Sequence, residues 1–319
     1  MTTPTVKPVC SQCMLPCRTD AGGRSACCAG EIAEVQVEAA LNVAGSWPVE
    51  AAQYHADHTA IGHSMLEVFR ESVPLYHGRF VARTVPAPEP TAAMALGTAL
   101  HAALLEPERF CDLVAVAPLV DRRTKAGRER WDQFEAEASG RTVISGDQEL
   151  LARVMANAVR RNKFAAQLLA APGRNEATFR VRDDATGLEL KARQDRLLDR
   201  GIILDLKTAA DPSPEAFGRS AHNFGYYRQD AHYRRVRQLA LGIDRHAEEM
   251  LFIVVGSSPP HECFVFELDE RAQELGWMQV EDDLQALANR QLTGNWESPY
   301  DHQLNTLQLP RWAYTEQRS

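Results

Sequence analysis

The chain has 319 residues, with 45% hydrophobic and 24% charged residues, the balance of a soluble globular protein large enough to bury a sizeable core. No stretch approaches the ~18 apolar residues of a membrane-spanning helix, and the first residues lack the basic-then-apolar order of a secretory signal, so a cytoplasmic location is expected. The net charge of −8, from 35 basic and 43 acidic residues, argues against a nucleic-acid partner only in sum, because such binding depends on where the basic residues cluster.

Residues 1–50 read as an appendage. They hold five of the seven cysteines, Cys10, Cys13, Cys17, Cys27 and Cys28, with a short helix predicted over Glu31–Val43. The spacing offers zinc four thiolates, yet fits no standard finger, and a leader with reduced thiols fits equally well. From residue 51 to 319 the pattern is that of one globular domain. A helix is expected around Ser64–Phe69, a loop at Pro86–Pro90, and an Ala- and Leu-rich helix over Thr91–Leu105. Asp121–Arg130 is polar and basic and reads as a mobile surface segment. Asp147–Ala170 carries apolar residues at helical spacing, stopped by Pro172-Gly173.

Strands are expected at Ala177–Arg182, Leu188–Leu198, Ile202–Thr208, Met250–Gly256 and Cys263–Leu268. Helices are expected at Pro214–His222, Tyr226–Leu241 and Asp269–Leu292. This order gives an α/β (mixed α+β) class, a central mixed sheet flanked by helices.

The stretch from Leu188 to Thr208 carries the chemistry. Asp199-Arg200-Gly201 is a three-residue hairpin turn, with glycine where a positive φ is needed. Centred there, Leu198 faces Ile202, Arg196 faces Leu204, Asp195 faces Asp205 and Arg193 faces Lys207. Alternation then sorts Leu188, Leu190, Leu198, Ile202, Leu204 and Leu206 to a core face, and Lys191, Arg193, Asp195, Asp205 and Lys207 to the other. Opposed carboxylates ~5 Å apart call for a cation between them. Oxygen ligands with open positions suit Mg²⁺, with Lys207 beside it to steady charge on a phosphate. A solvated face of mixed charge is the plain alternative, but the apolar Ile202-Ile203-Leu204 before Asp205 leaves that acid in need of a partner.

At these residues the chain resembles the PD-(D/E)XK nuclease superfamily, and within it the RecE-like (exodeoxyribonuclease VIII-type) domain. Gly97-Thr-Ala-Leu-His101, Lys191-Ala-Arg-Gln-Asp195, Asp205-Leu-Lys-Thr208 and the Gln229…Tyr233 helix stand in the family's order, with Gln194 in place of the usual proline. The resemblance implies a restriction-endonuclease-like core, with Asp195, Asp205, the Leu206 carbonyl and His101 at a Mg²⁺ site that Mn²⁺ also fills. It makes Lys207 the catalytic lysine, Gln229 and Tyr233 residues that orient the site or touch the DNA backbone, and Glu176, before the first strand, a further metal or water ligand. It implies 5′→3′ degradation of linear double-stranded DNA ends, leaving 3′ single strand for recombination, a ring-like homo-oligomer and a single-strand annealing partner. An iron–sulfur cluster, found in some of these nucleases, would need cysteines after Cys263, and there are none. A non-catalytic DNA-end-binding module and an endonuclease on the same core are the rivals. Arg193, Arg228 and Arg234 are the nearest candidates for the DNA backbone, with Trp131 and Tyr227 as aromatic candidates for stacking on bases or packing in the core.

Overall fold

The computed structural model describes residues 46–47, 49–243, 249–298, 300–301 and 303–309. The five N-terminal cysteines and the Glu31–Val43 helix lie outside them. In chain order the elements are β1 (Ser46–Trp47), α1 (Ala51–Ala56), α2 (His63–Glu71), α3 (Val73–Tyr76), α4 (Ala92–Leu105), α5 (Phe110–Leu113), β2 (Val114–Val116), α6 (Lys125–Glu137), β3 (Thr142–Ile144), α7 (Gly146–Arg161), α8 (Lys163–Ala170), β4 (Gly173–Arg182), β5 (Glu189–Leu198), β6 (Ile203–Ala209), α9 (Pro214–Asn223), α10 (Tyr226–Leu241), β7 (Met250–Gly256), β8 (Cys263–Glu267) and α11 (Glu270–Thr293). Strands β4 to β8 form one mixed sheet in that order, and β1 adds two residues to its β4 edge. Neighbours are antiparallel except β6 and β7, which run parallel, as the α9–α10 crossover between them requires. Among the described residues no helix is long and apolar enough to cross a membrane.

Both faces of the sheet are buried. Leu198, Leu204, Leu206 and Ile253 pack against α4, α7 and α8, while Leu190, Leu197, Ile203 and Phe252 pack against α2, α10 and α11. All seven residues of β7 are buried, as its unbroken apolar sequence dictates. The assignment of one core face and one charged face is therefore corrected. Ile203 and Leu197 fill the face expected to be charged, and Leu188 and Leu190 sit in the opposite cluster from Leu198, Leu204 and Leu206.

Two further expectations change. The Asp121–Arg130 segment lies on the surface as expected, but its second half is helical: Thr124 caps the Gly127 N–H and starts α6 at Lys125. The long helix over Asp147–Ala170 is broken at Asn162, whose extended backbone ends α7 while its side chain caps the Ala165 N–H of α8.

Helix α10 is the strut on the α2/α11 side. Its arginines point into the protein: Arg228 donates to Glu67, Arg235 to Asp183 and Arg237 to the Gly201 carbonyl, and Arg234 lies 3.7 Å from Asp230. Against α11 it is held backbone to backbone, because Gly276 leaves room for the Tyr227 carbonyl. A Cβ there would stand 2.1 Å from that oxygen. Gly276→Ala is expected to lower stability by about 1–3 kcal/mol by overpacking, measured as a shifted urea midpoint. An unchanged midpoint would mean that the two helices separate without cost.

Candidate active site

Strand β5 is longer than its pairing with β6. The turn sets the predicted register, and Arg196 faces Leu204 with Leu197 facing Ile203, but the ladder stops there. Beyond it the two strands part, so the expected direct opposition of Asp195 and Asp205 is replaced by a split. The Asp195 carboxylate spans the split and accepts the Leu206 N–H at 2.8 Å. Farther along, the freed edge of β5 is taken by Ile61, which bonds with Glu189 and Lys191, and by His232, which donates to the Lys191 carbonyl at 3.0 Å. Each helix layer sends one side chain to the split.

From one side comes α4. His101 Nε2 lies 3.0 Å from the Leu206 carbonyl, and its Nδ1 lies 3.5 Å from Asp195 Oδ2. A carbonyl only accepts, so Nε2 carries the proton. Nδ1 then confronts a carboxylate, an arrangement that requires a proton or a cation between them. The adjacent strand adds Glu176, which stands across from Asp195 in the β4–β5 register. It was expected ahead of the first strand, yet it lies inside β4, with a left-handed φ of 54° that interrupts the ladder there. Arg193 holds the Glu176 carboxylate at 2.5 Å and also donates to the Val49 carbonyl. Ligand atoms of His101, Glu176 and Asp195 all lie within 4.8 Å of one another.

From the other side comes α10. Gln229 donates to Asp205 Oδ1 at 2.7 Å, and Lys207 pairs with Asp205 Oδ2 at 2.5 Å. Asp205 is almost fully buried, and both its oxygens are thus engaged within the protein. The Lys207 ammonium rests 4.6 Å from the Tyr226 ring centre. Tyr226 was not picked out as a site residue, although its place at the start of the Gln229 helix was the available signal. Tyr233 follows one turn after Gln229 and bonds with it.

Burial sets the protonation of this group. It raises the Asp195 pKa, with help from nearby Asp205 and against His101, Lys207 and the Leu206 N–H. Burial, then Asp195, raises Glu176, against the pull of Arg193. Burial opposes the Lys207 ammonium, but Asp205 and Asp195 outweigh it and hold its pKa above the usual lysine value. The Tyr233 hydroxyl is held well above its usual value by burial, so it stays neutral.

The donor set of His101, Glu176 and Asp195 fits a divalent cation. Three acceptors converge in a half-buried space with no donor among them, and oxygen with one imidazole suits Mg²⁺- or Mn²⁺-type ions. The Leu206 carbonyl is already bonded by His101, which makes it a brace for the imidazole and leaves it one lone pair. The arginines expected to meet DNA are engaged within the protein. Arg228 and Arg234 are buried and turned inward, and Arg193 is committed to Glu176. Tyr227 is buried against Gln279 and Arg228, whereas Trp131 lies under Arg122 on α6.

Residues 63–299 match the family model of a PDDEXK-like domain of unknown function (DUF3799). No curated protein matches the sequence. The solved structure of a "Putative exonuclease" from Eubacterium rectale shares the fold, with a TM-score of 0.55 at 11% identity over 84% of this chain and 98% of its own. The structure of SSO0001 is a fainter likeness, at 10% identity over 70% of this chain and 84% of its own. Its TM-score of 0.25 is too low to argue from.

The raised carboxylates predict how metal-free stability varies with pH. Asp195 and Glu176 bind protons more tightly folded than unfolded. Their contribution is complete below the ordinary carboxylate range and is lost as pH rises through their raised values. Asp195→Asn removes that loss. Urea unfolding in chelator, from about pH 4 to about pH 8, should show the variant gaining on wild type as pH rises. Parallel curves would show that Asp195 holds no proton.

Proposed function

Because this chain belongs to the family of PDDEXK-like domains described as of unknown function (DUF3799), we propose that it is a divalent-metal-dependent deoxyribonuclease acting on the ends of linear double-stranded DNA. The observation that carries the reading is the meeting of His101, Glu176 and Asp195 at the split between β5 and β6, with Lys207 held beside them by Asp205. Mg²⁺, or Mn²⁺ in its place, would be held by His101, Glu176 and Asp195, and would supply an activated water and neutralise phosphate charge.

The protein's own residues complete the arrangement. Lys207 keeps its proton, so it offers a fixed positive charge to the phosphate as negative charge grows on its oxygens. Gln229 fixes Asp205, and Asp205 in turn aims Lys207. Tyr226 closes the space beneath the ammonium, restricting it to the reacting side. Arg193 keeps Glu176 turned toward the metal position. Should Asp205 also take the metal, its pair with Lys207 has to open, which would release the lysine toward the phosphate.

Exonucleolytic attack, 5′→3′ polarity, formation of 3′ single strand for recombination, an annealing partner and a ring-like oligomer rest on the resemblance alone. In this reading residues 51–319 are the nuclease domain and residues 1–50 an appendage whose cysteines either bind zinc or remain thiols.

Linear and closed-circular duplex, each incubated with Mg²⁺, test the proposal. Loss of linear DNA only is expected. Nicked circles would mark an endonuclease, and no cleavage of either would mark a DNA-end-binding module. Asp205→Ala and Lys207→Ala should each lower the rate about 100- to 1000-fold, and wild-type rates in both would refute the site.

A further inference from the structure

The corner between α9 and α10 exposes three consecutive residues, His222, Asn223 and Phe224. Phe224 is 62% exposed, unusual for a phenylalanine beside a buried site. Its ring is not loose. It stacks on Tyr226, with centres 5.8 Å apart and planes 29° apart, and Tyr226 in turn stacks on buried Phe252. The same Tyr226 lies under the Lys207 ammonium. His222 repeats the arrangement beside it, parallel to Tyr227 within 3° at 6.2 Å. Two exposed rings are therefore seated on aromatic neighbours, and Phe224 is one ring removed from the lysine proposed to meet the phosphate.

The backbone holds this corner still. Phe224 N–H bonds the Ser220 carbonyl at 2.9 Å, and Gly225 turns the chain in the left-handed region at φ 67°. A Cβ on Gly225 would strike the Arg228 guanidinium at 2.4 Å and the Glu67 carboxylate at 2.7 Å, so the half-buried Arg228–Glu67 pair also packs against the corner.

We infer that Phe224, with His222 beside it, is a stacking platform for an unpaired nucleobase of the DNA strand whose phosphate is held at Lys207. The inference rests on the nuclease reading for the position of the phosphate, but not for the stacking itself. An open aromatic face accepts any base, because every base has a π-face. The exposed His222 and Asn223 side chains flank it with groups that can bond a base edge. The charged side chains of α9, Glu215 and Arg219, pair with each other at 2.7 Å. A duplex end would have to open by at least one base to use it, so Phe224 would favour frayed or single-stranded ends.

The test separates the platform from the nuclease reading by measuring binding in chelator, where hydrolysis is stopped. A single-stranded oligonucleotide carrying 2-aminopurine near its end reports stacking as quenched fluorescence, and anisotropy gives its affinity. Wild type should quench the probe. Phe224→Ala should abolish the quench and weaken binding roughly 5- to 100-fold, with an unchanged urea midpoint because the side chain is exposed. Phe224→Tyr should restore both, which a merely structural role would not predict. Wild-type quench and affinity in Phe224→Ala would overturn the platform. Hydrolysis of linear duplex is scored separately on wild type. Quenching without hydrolysis would sink the nuclease reading and leave the platform standing, whereas hydrolysis with an indifferent Phe224→Ala would do the reverse.

Discussion

The Asp195 carboxylate accepts the Leu206 N–H at the point where β5 and β6 stop pairing. This one side-chain-to-backbone bond stands where a ladder bond would be in a continuous sheet. It satisfies a backbone donor that would otherwise be buried without a partner, and it spends the acid on doing so. The two strands can then part without leaving an unpaired edge. At the opening His101 reaches the Leu206 carbonyl from one helix layer, and Gln229 reaches Asp205 from the other. Remove the carboxylate and the Leu206 amide loses its acceptor, the His101 imidazole loses the group it faces, and Lys207 loses one of its two counter-charges.

The acids around the split repel one another in a buried place, and the fold holds them there with cations of its own. Arg193 restrains Glu176 and Lys207 restrains Asp205, while among the described residues no lysine or arginine is bonded to Asp195, the carboxylate that faces His101. The unbalanced charge is therefore local, confined to the one spot where a bound cation would relieve it. Glu176 adds backbone strain, since a left-handed glutamate inside a strand is held there by the ladder on either side of it and by its bond to Arg193.

Much of this was legible in the sequence. The Asp199-Arg200-Gly201 turn sets the hairpin register, and the ordered motifs locate Asp195, Asp205, Lys207, His101 and Gln229. What escaped has a common cause, namely contacts between residues distant in the chain. The point where β6 leaves β5 depends on Ile61 and His232 occupying the freed edge, and neither is near the hairpin in sequence. The arginines of α10 look like a basic surface until Glu67 and Asp183 are brought to them from 161 and 52 residues away. Burial on both sheet faces was hidden because Ile203 reads equally well as a strand interior or as part of one apolar stripe. Glu176 looked like a solvated residue ahead of a strand because period-2 patterning says nothing of a single reversed φ.

The bare contact of Gly276 with the Tyr227 carbonyl has a mechanical consequence. Helix α10 is locked to α11 through main chain and tied by Arg228 and Arg235 to α2 and the β4–β5 connection, so the Gln229 wall of the site cannot slide. The facing wall is tied as well: Gln148 and Arg160 of α7 donate to the Ala92 and Ala103 carbonyls at the two ends of α4, and His101 itself bonds the Leu206 carbonyl. The site is therefore clamped from both helix layers, and its width is set by how far β6 parts from β5.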